Sequence, residues 1–314
     1  MKISINKKVV NGPWGGGNQI LMLLVDFLVK KGFKISYSLD NDTSVILIMD
    51  VKDESCSFSI KQIREFKKNK NVKIIQRIND NGSHRKNNEW LDDLIINVNK
   101  EMVDKTIFIS KWIKNYFEAK GLKRDNSVVI ANGADRKLFY SYNNQRNKDD
   151  PLRIVTHHWS RNMAKGYEIY DKLDKFCCSN PDIAHFRFIG RPLEGGILSN
   201  CEKIYSKPYK EIGQFLRTED IYVTATQYES GGCHIVEGMA CGLIPLVKRG
   251  GGGTENYVEG FGFYYDTFEE LKSEILNFKN NYDIFIDAKN NMINYTYSNA
   301  EMCEQYWNVI KEME

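Results

Sequence analysis

The chain has 314 residues, a length that suits two domains of roughly 150 residues better than one core. Its 27% charged and 42% apolar residues are the mixture of an ordinary globular protein and exclude a disordered or fibrous chain. The longest apolar stretch, 20–29, contains Asp26 and is far short of the roughly 20 residues that span a bilayer.

Strand and helix signals alternate along the chain. Residues 1–5 read as a short strand without the apolar core of a signal peptide, so a cytoplasmic location is expected. Ile20, Leu23, Leu24, Phe27 and Leu28 fall on one helical face and predict a helix over 19–31, ended by Gly32. Strands are predicted over 33–38, 44–49, 72–78, 106–109 and 128–131, with helices over 60–68, 89–99 and 111–120. The polar stretch 143–150 before Pro151 reads as a linker. Beyond it the alternation restarts: strand 153–157, helix 166–177, strand 185–189, helix 209–217, strand 221–226 and a last helix over 298–314. Apolar strands alternating with helices predict α/β domains with parallel sheets covered on both faces.

The segment from Glu229 to Pro245, ESGGCHIVEGMACGLIP, is the most informative. A buried strand, a Gly231-Gly232 turn and a short helix closing at Gly242 and Pro245 are expected in that order. Such a helix start presents backbone N–H groups and a positive dipole end to an anion. Glu229 and Glu237 flank that point. Carboxylates repel phosphate, so they are expected to accept hydrogen bonds from hydroxyls of the same ligand. Phosphate bracketed by hydroxyls describes a nucleotide sugar.

Glu-x7-Glu running into Gly-Met-Ala-Cys-Gly-x-x-Pro resembles the donor-site signature of retaining GT-B glycosyltransferases, glycosyltransferase family 4 in particular. Gly15-Gly16-Gly17, Phe108-Ile-Ser-Lys-Trp112, Val129-Ile-Ala-Asn-Gly-Ala-Asp135 with Phe139, Ser160-Arg161 with Lys165-Gly166, and Gly250 to Gly253 with Glu255 match in the same order. The resemblance implies a GT-B architecture: two facing, doubly wound Rossmann-like domains. These are expected at 1–148 on the acceptor side and 149–295 on the nucleotide-sugar side, with 296–314 crossing back to the first.

By the same resemblance, Arg161 and Lys165 bind the donor diphosphate, Glu229 the transferred sugar and Glu237 the ribose diol. Gly231, Gly232, Cys233 and His234 cradle phosphate or sugar oxygens, and Gly251, Gly252 and Gly253 let backbone approach the sugar. Trp14, Gly15, Gly16 and Gly17 are expected near acceptor and phosphate. Many relatives carry a histidine after a mid-domain strand where this chain has Gln76-Arg-Ile-Asn79-Asp80, so Asn79 and Asp80 become the acceptor-side candidates. Gly238 also stands where an alanine is usual, at a cost of about 1 kcal/mol in helix propensity.

Rival readings fail on particular residues. A dinucleotide fingerprint needs Gly or Ala where Ile20 stands. A glycosidase pair would not need an adjoining anion site. Asp40-Asn-Asp42 lies far from the donor signature and reads as a turn. Seven unpatterned cysteines suit reduced thiols, and five scattered histidines, including His157-His158, show no zinc-ligand spacing. No metal or cofactor is therefore expected.

Residues 1–150 hold 27 Lys and Arg against 18 Asp and Glu, a net of +9, whereas the rest hold 17 against 23, a net of −6. This split suits a first domain that meets a glycan or lipid-linked acceptor, or the surface of an anionic membrane. The basic residues are dispersed and do not point to nucleic acid. The expected function is retaining, metal-independent transfer from a UDP- or GDP-sugar to an acceptor hydroxyl. The alternatives are a GT-B nucleotide-sugar epimerase or hydrolase, or a non-catalytic sugar-nucleotide or glycan-binding protein.

Overall fold

The computed structural model describes residues 1–10, 15–86, 88–142, 146–193, 197–205 and 207–313, with the side chains of Arg85 and Lys86 excepted. Trp14 and residues 143–145 of the expected linker lie outside the described residues. The chain divides into two compact units, one of Met1–Asn11, Gly17–Asn132 and Asn299–Glu314, the other of Gly12–Gly16 and Gly133–Ser298.

The first unit runs β1 (Lys2–Ile5), α1 (Gly16–Lys30), β2 (Lys34–Ser36), β3 (Val45–Ile48), α2 (Ile60–Asn69), β4 (Lys73–Ile78), α3 (Ser83–Lys86), α4 (Glu89–Met102), β5 (Lys105–Phe108), α5 (Lys111–Ala119) and β6 (Ser127–Val129). Its strands pair in the order β2-β1-β3-β4-β5-β6, all parallel. β3 is the sequence Val-Ile-Leu-Ile and is buried throughout, as a central parallel strand covered on both faces must be.

The second unit runs β7 (Leu152–His158), α6 (Tyr167–Ser179), β8 (Ala184–Gly190), β9 (Glu202–Tyr205), α7 (Tyr209–Leu216), β10 (Ile221–Thr224), α8 (Cys233–Ala240), β11 (Ile244–Lys248), α9 (Gly253–Tyr257), β12 (Phe263–Tyr265), α10 (Phe268–Asn280) and α11 (Tyr282–Asn291). α12 (Asn299–Lys311) belongs to the first unit. There the Tyr306 hydroxyl accepts from Arg77 Nε at 2.9 Å, and Lys31 pairs with Glu304 at 2.8 Å. The second sheet is also parallel, in the order β12-β11-β10-β7-β8-β9. Strand order reverses between β7 and β10, the point at which open α/β sheets bind ligands beyond their strand ends.

Three expectations need correction. The boundary at 148 moves back to 132, because the expected linker is tied to the second unit. Buried Arg146 lies 3.8 Å from Asp220, Tyr282 donates to its carbonyl at 2.7 Å, and Lys279 donates to the Asp149 and Asp150 carbonyls. Upstream, Arg217 donates to Leu138 O at 2.7 Å and Phe139 packs on Tyr209. Residues 296–298 likewise group with the second unit.

Secondly, Gly16 and Gly17 open α1 rather than forming a loop before it. The Asn18 side chain pairs with both backbone polar groups of Val10, at 2.9 and 2.7 Å, and holds the helix start there. Thirdly, Pro245 does not close the helix. Gly242, left-handed at φ 79°, ends α8, and Pro245 is the second residue of β11 opposite Tyr222. Strands β9 and β12 and helices α10 and α11 were not legible: the two strands are short and lie at the sheet's edges.

Asp92 anchors the turn after β4. It is fully buried and accepts from the Gly82 amide at 2.7 Å, Ser83 Oγ at 2.6 Å, the Tyr116 hydroxyl and Lys120 Nζ at 2.9 Å. Burial acts to raise its pKa, but these donors outweigh it and hold the group at about 2. A lowered folded-state pKa gives stability that is present above the ordinary value near 4 and lost as pH falls towards 2. Asp92→Asn should cost about 1.5–3 kcal/mol at pH 7, the worth of hydrogen bonds to a charged group. It should also flatten part of the acid-side decline between pH 4 and 2 in urea unfolding; an unaltered midpoint and pH profile would refute this role.

Candidate donor site

The site is built on the carboxyl ends of β7, β10 and β11. After β7 the chain passes Arg161, which is exposed, and enters a single 3-10 turn, Met163–Lys165, capped by the Asn162 side chain accepting from the Ala164 amide at 2.9 Å. Gly166 follows at φ 85°, and α6 begins only after it. A Cβ on Gly166 would lie 2.4 Å from Ala225 Cβ and 2.4 Å from Ala225 O. Only glycine fits both that backbone and that contact. The Gln227 amide donates to Ala164 O at 2.8 Å, joining the two loops.

After β10 the chain reaches Tyr228, a non-glycine residue at φ 52°, and then Glu229. Glu229 pairs with Gly252 as an isolated parallel bridge; its amide donates to Gly251 O at 3.0 Å, and Gly253 N donates to Glu229 O at 2.6 Å. A Cβ on Gly252 would stand 2.6 Å from Glu229 O. The glycine run thus lets backbone approach Glu229 closely, and Gly253 already belongs to α9.

Lys165 Nζ bonds Glu229 Oε2, and both side chains are largely covered, at 14% and 9% exposure. Two residues expected to address different parts of a ligand therefore meet as an ion pair. α8 starts at Cys233 behind Gly232, which has no side chain to cap it. Gly15 and Gly16 group with this unit, where a Cβ on Gly16 would fall 2.7 Å from Cys233 Sγ. Gly17 groups with the first unit, as do Asn79 and Asp80 just past β4, where Asp80 Oδ1 accepts from the Asn81 amide at 3.0 Å.

Glu237 lies one turn into α8, 5% exposed, with its Oε2 2.7 Å from His157 Nε2. The other side of that imidazole, Nδ1, is 3.0 Å from the Tyr222 hydroxyl. His234 Nε2 contacts Thr224 Oγ1 at 3.2 Å, and its ring packs on His158 at 5.2 Å. Burial pushes the His158 pKa well below its ordinary value, helped by the neighbouring His234, Lys165 and His157. Tyr209 on α7 faces the same region, and burial with the Glu237 and Cys233 charges drives its phenol well above its ordinary pKa. Among the described residues no cluster of three or more His, Cys, Asp or Glu is arranged to hold a metal.

Sequence reasoning missed Tyr222 and had no role for Gly238. A Cβ on Gly238 would come within 2.5 Å of Tyr222 Cδ2, so the glycine makes room for the ring whose hydroxyl holds His157. The departure from alanine was the available signal.

Residues 191–299 match the family model described as Glycosyl transferases group 1. The architecture is the GT-B fold. It is shared with the Anabaena Alr3699/HepE structure in complex with UDP, at a TM-score of 0.77 and 15% identity over 99% of each chain. Sucrose-phosphate synthase from Thermosynechococcus elongatus matches at a TM-score of 0.76 and 12% identity, over 99% of this chain and 98% of that one. In sequence, the chain is 26% identical over 199 residues to the uncharacterized glycosyltransferase MJ1178 of Methanocaldococcus jannaschii. That match spans 58% of this chain and 51% of the relative's length. The chain therefore resembles the group 1 GT-B glycosyltransferases, and its matched segment contains Glu229, Glu237 and the glycine run. No described helix is long and apolar enough to cross a membrane.

The left-handed Gly166 yields a test. Gly166→Ala should destabilise the protein by about 1–3 kcal/mol from backbone strain alone, with the contact to Ala225 adding to it. A urea midpoint equal to the parent's would show that the turn does not depend on glycine.

Proposed function

We propose that this chain is a retaining glycosyltransferase that moves a sugar from a nucleoside-diphosphate sugar to an acceptor hydroxyl. The observation that carries the reading is the meeting of an α-helix start, Lys165 and two buried carboxylates at the point where strand order reverses. A cation and backbone N–H groups suit a diphosphate, and carboxylates suit hydroxyls, so both halves of a nucleotide sugar find partners. The Anabaena protein is in complex with UDP, which favours UDP over GDP here.

In the reaction the bond from the anomeric carbon to the diphosphate oxygen breaks and its electron pair leaves with the diphosphate. The acceptor oxygen bonds the same carbon from the same face, and its proton ends on the diphosphate. Charge grows on the leaving group, so preorganised donors there matter most. Lys165, Arg161 and the N-terminus of α8 fill that role, without a metal. Because Lys165 and Glu229 bond one another in this structure, the diphosphate takes Lys165 from Glu229, and Glu229 turns to a sugar hydroxyl. The acceptor is a glycan or lipid-linked hydroxyl.

Calorimetric titration in EDTA is expected to show UDP or GDP binding with no preference for NAD; binding abolished by chelation, or a preference for NAD, would overturn the reading. Product analysis must then show a new glycoside rather than isomerised donor or free sugar.

The mutational expectation follows from the ion pair. Lys165→Ala and Arg161→Ala should each lower kcat by about 10²–10³, or roughly 2.7–4 kcal/mol, with smaller effects on donor binding. Glu229→Ala should lose discrimination among donor sugars while binding bare UDP at least as well as the parent, since it leaves Lys165 to the phosphates. Thermal melts control for folding. Normal turnover in both cation variants, or equal loss of UDP and intact donor in Glu229→Ala, would refute the division of roles.

A further inference from the structure

Glu237 is held by a partner that its sequence context does not announce. The Tyr222 hydroxyl accepts from the His157 amide at 3.1 Å, so its own proton is available to donate. Nδ1 of His157 stands at 3.0 Å and the His157 carbonyl at 3.4 Å; the nearer acceptor is the ring nitrogen. With Tyr222 donating to Nδ1, the tautomer that fits is the one carrying its hydrogen on Nε2. That hydrogen points at Glu237 Oε2, 2.7 Å away. His157, Tyr222 and Glu237 are all buried, in the low-dielectric interior where such a bond is strong. Tyr222 reaches this position because residue 238 has no Cβ.

We propose that His157 is the positioning residue that fixes the Glu237 carboxylate for a ribose diol, with Tyr222 selecting the tautomer. This rests on the reading of Glu237 as the nucleotide-sugar ribose contact. His157 occupies one of the carboxylate's roughly four lone-pair sites and orients the rest. A vicinal diol offers two hydroxyl donors and needs the carboxylate in one rotamer to bond both. An unfixed Glu237 must be ordered by the ligand, at a cost in affinity.

The first measurement needs no ligand. Imidazole 15N shifts should show His157 as the Nε2–H tautomer, and Tyr222→Phe should disturb it. An Nδ1–H imidazole in the parent would overturn the proposal. The second uses UDP and 2′,3′-dideoxyuridine diphosphate, which lacks the diol. His157→Phe keeps a ring but no donor, and should weaken UDP by about 10- to 100-fold, the range for a hydrogen bond to a charged group, while leaving the dideoxy compound unaffected. His157→Gln, which can donate from its amide, should recover part of the loss. A double variant with Glu237→Gln should lose no more than Glu237→Gln alone. Equal loss of both ligands in His157→Phe, or additive losses, would assign His157 a merely structural role and overturn the proposal. If Glu237→Gln itself bound UDP like the parent, the ribose reading of Glu237 would fail and the proposal with it. A normal Glu237 dependence with a neutral His157→Phe would sink the positioning role alone.

Discussion

The pairing of β7 with β10 is the constraint on which the second unit's site depends. It places Ile221 opposite Ile154 and Tyr222 opposite Val155 at the reversal of strand order. Helices following the two strands leave in different directions at such a point, and their loops open a crevice. Because the strands are adjacent, the Tyr222 side chain on one reaches His157 on the other. The same adjacency brings Ala225 against Gly166 and joins Gln227 to Ala164. Loops of different sequence separation are thereby locked by backbone contacts that a displaced register would break.

The polar groups of the site are partnered within it. Lys165 meets Glu229, and Glu237 meets His157. Buried charges persist only when paired, because removing either partner leaves the other desolvated and alone. A ligand entering here exchanges existing interactions for its own. Groups that stay neutral at ordinary pH line the floor: burial keeps the His158 imidazole uncharged and the Tyr222 hydroxyl protonated.

Much of the fold was legible because the strands are short apolar runs and the helices carry period-3.6 stripes. β3, β4, β5, β7 and β10 fall within a residue or two of expectation. The misjudged places have local physical causes. Pro245 is a poor guide where a strand begins directly after a left-handed glycine. The polar run before Pro151 looks like a tether, yet Tyr282 and Lys279 pin it by contacts 129 to 136 residues apart in sequence.

By itself the sequence determined the parallel α/β architecture, the order of the elements up to the helix after β10, and the segment that holds Glu229 and Glu237. Periodicity, turn residues and helix-end chemistry are local, and local patterns survive in a one-dimensional string. Only the tertiary structure decided which side chains answer one another. Lys165 and Glu229 are 64 residues apart, and His157 and Glu237 are 80 apart. No local pattern encodes such pairs, since strand order and register set them. Gly238 shows the limit most clearly: in the helix it is a weak residue, and only the Tyr222 ring lying where its Cβ would be gives it a reason.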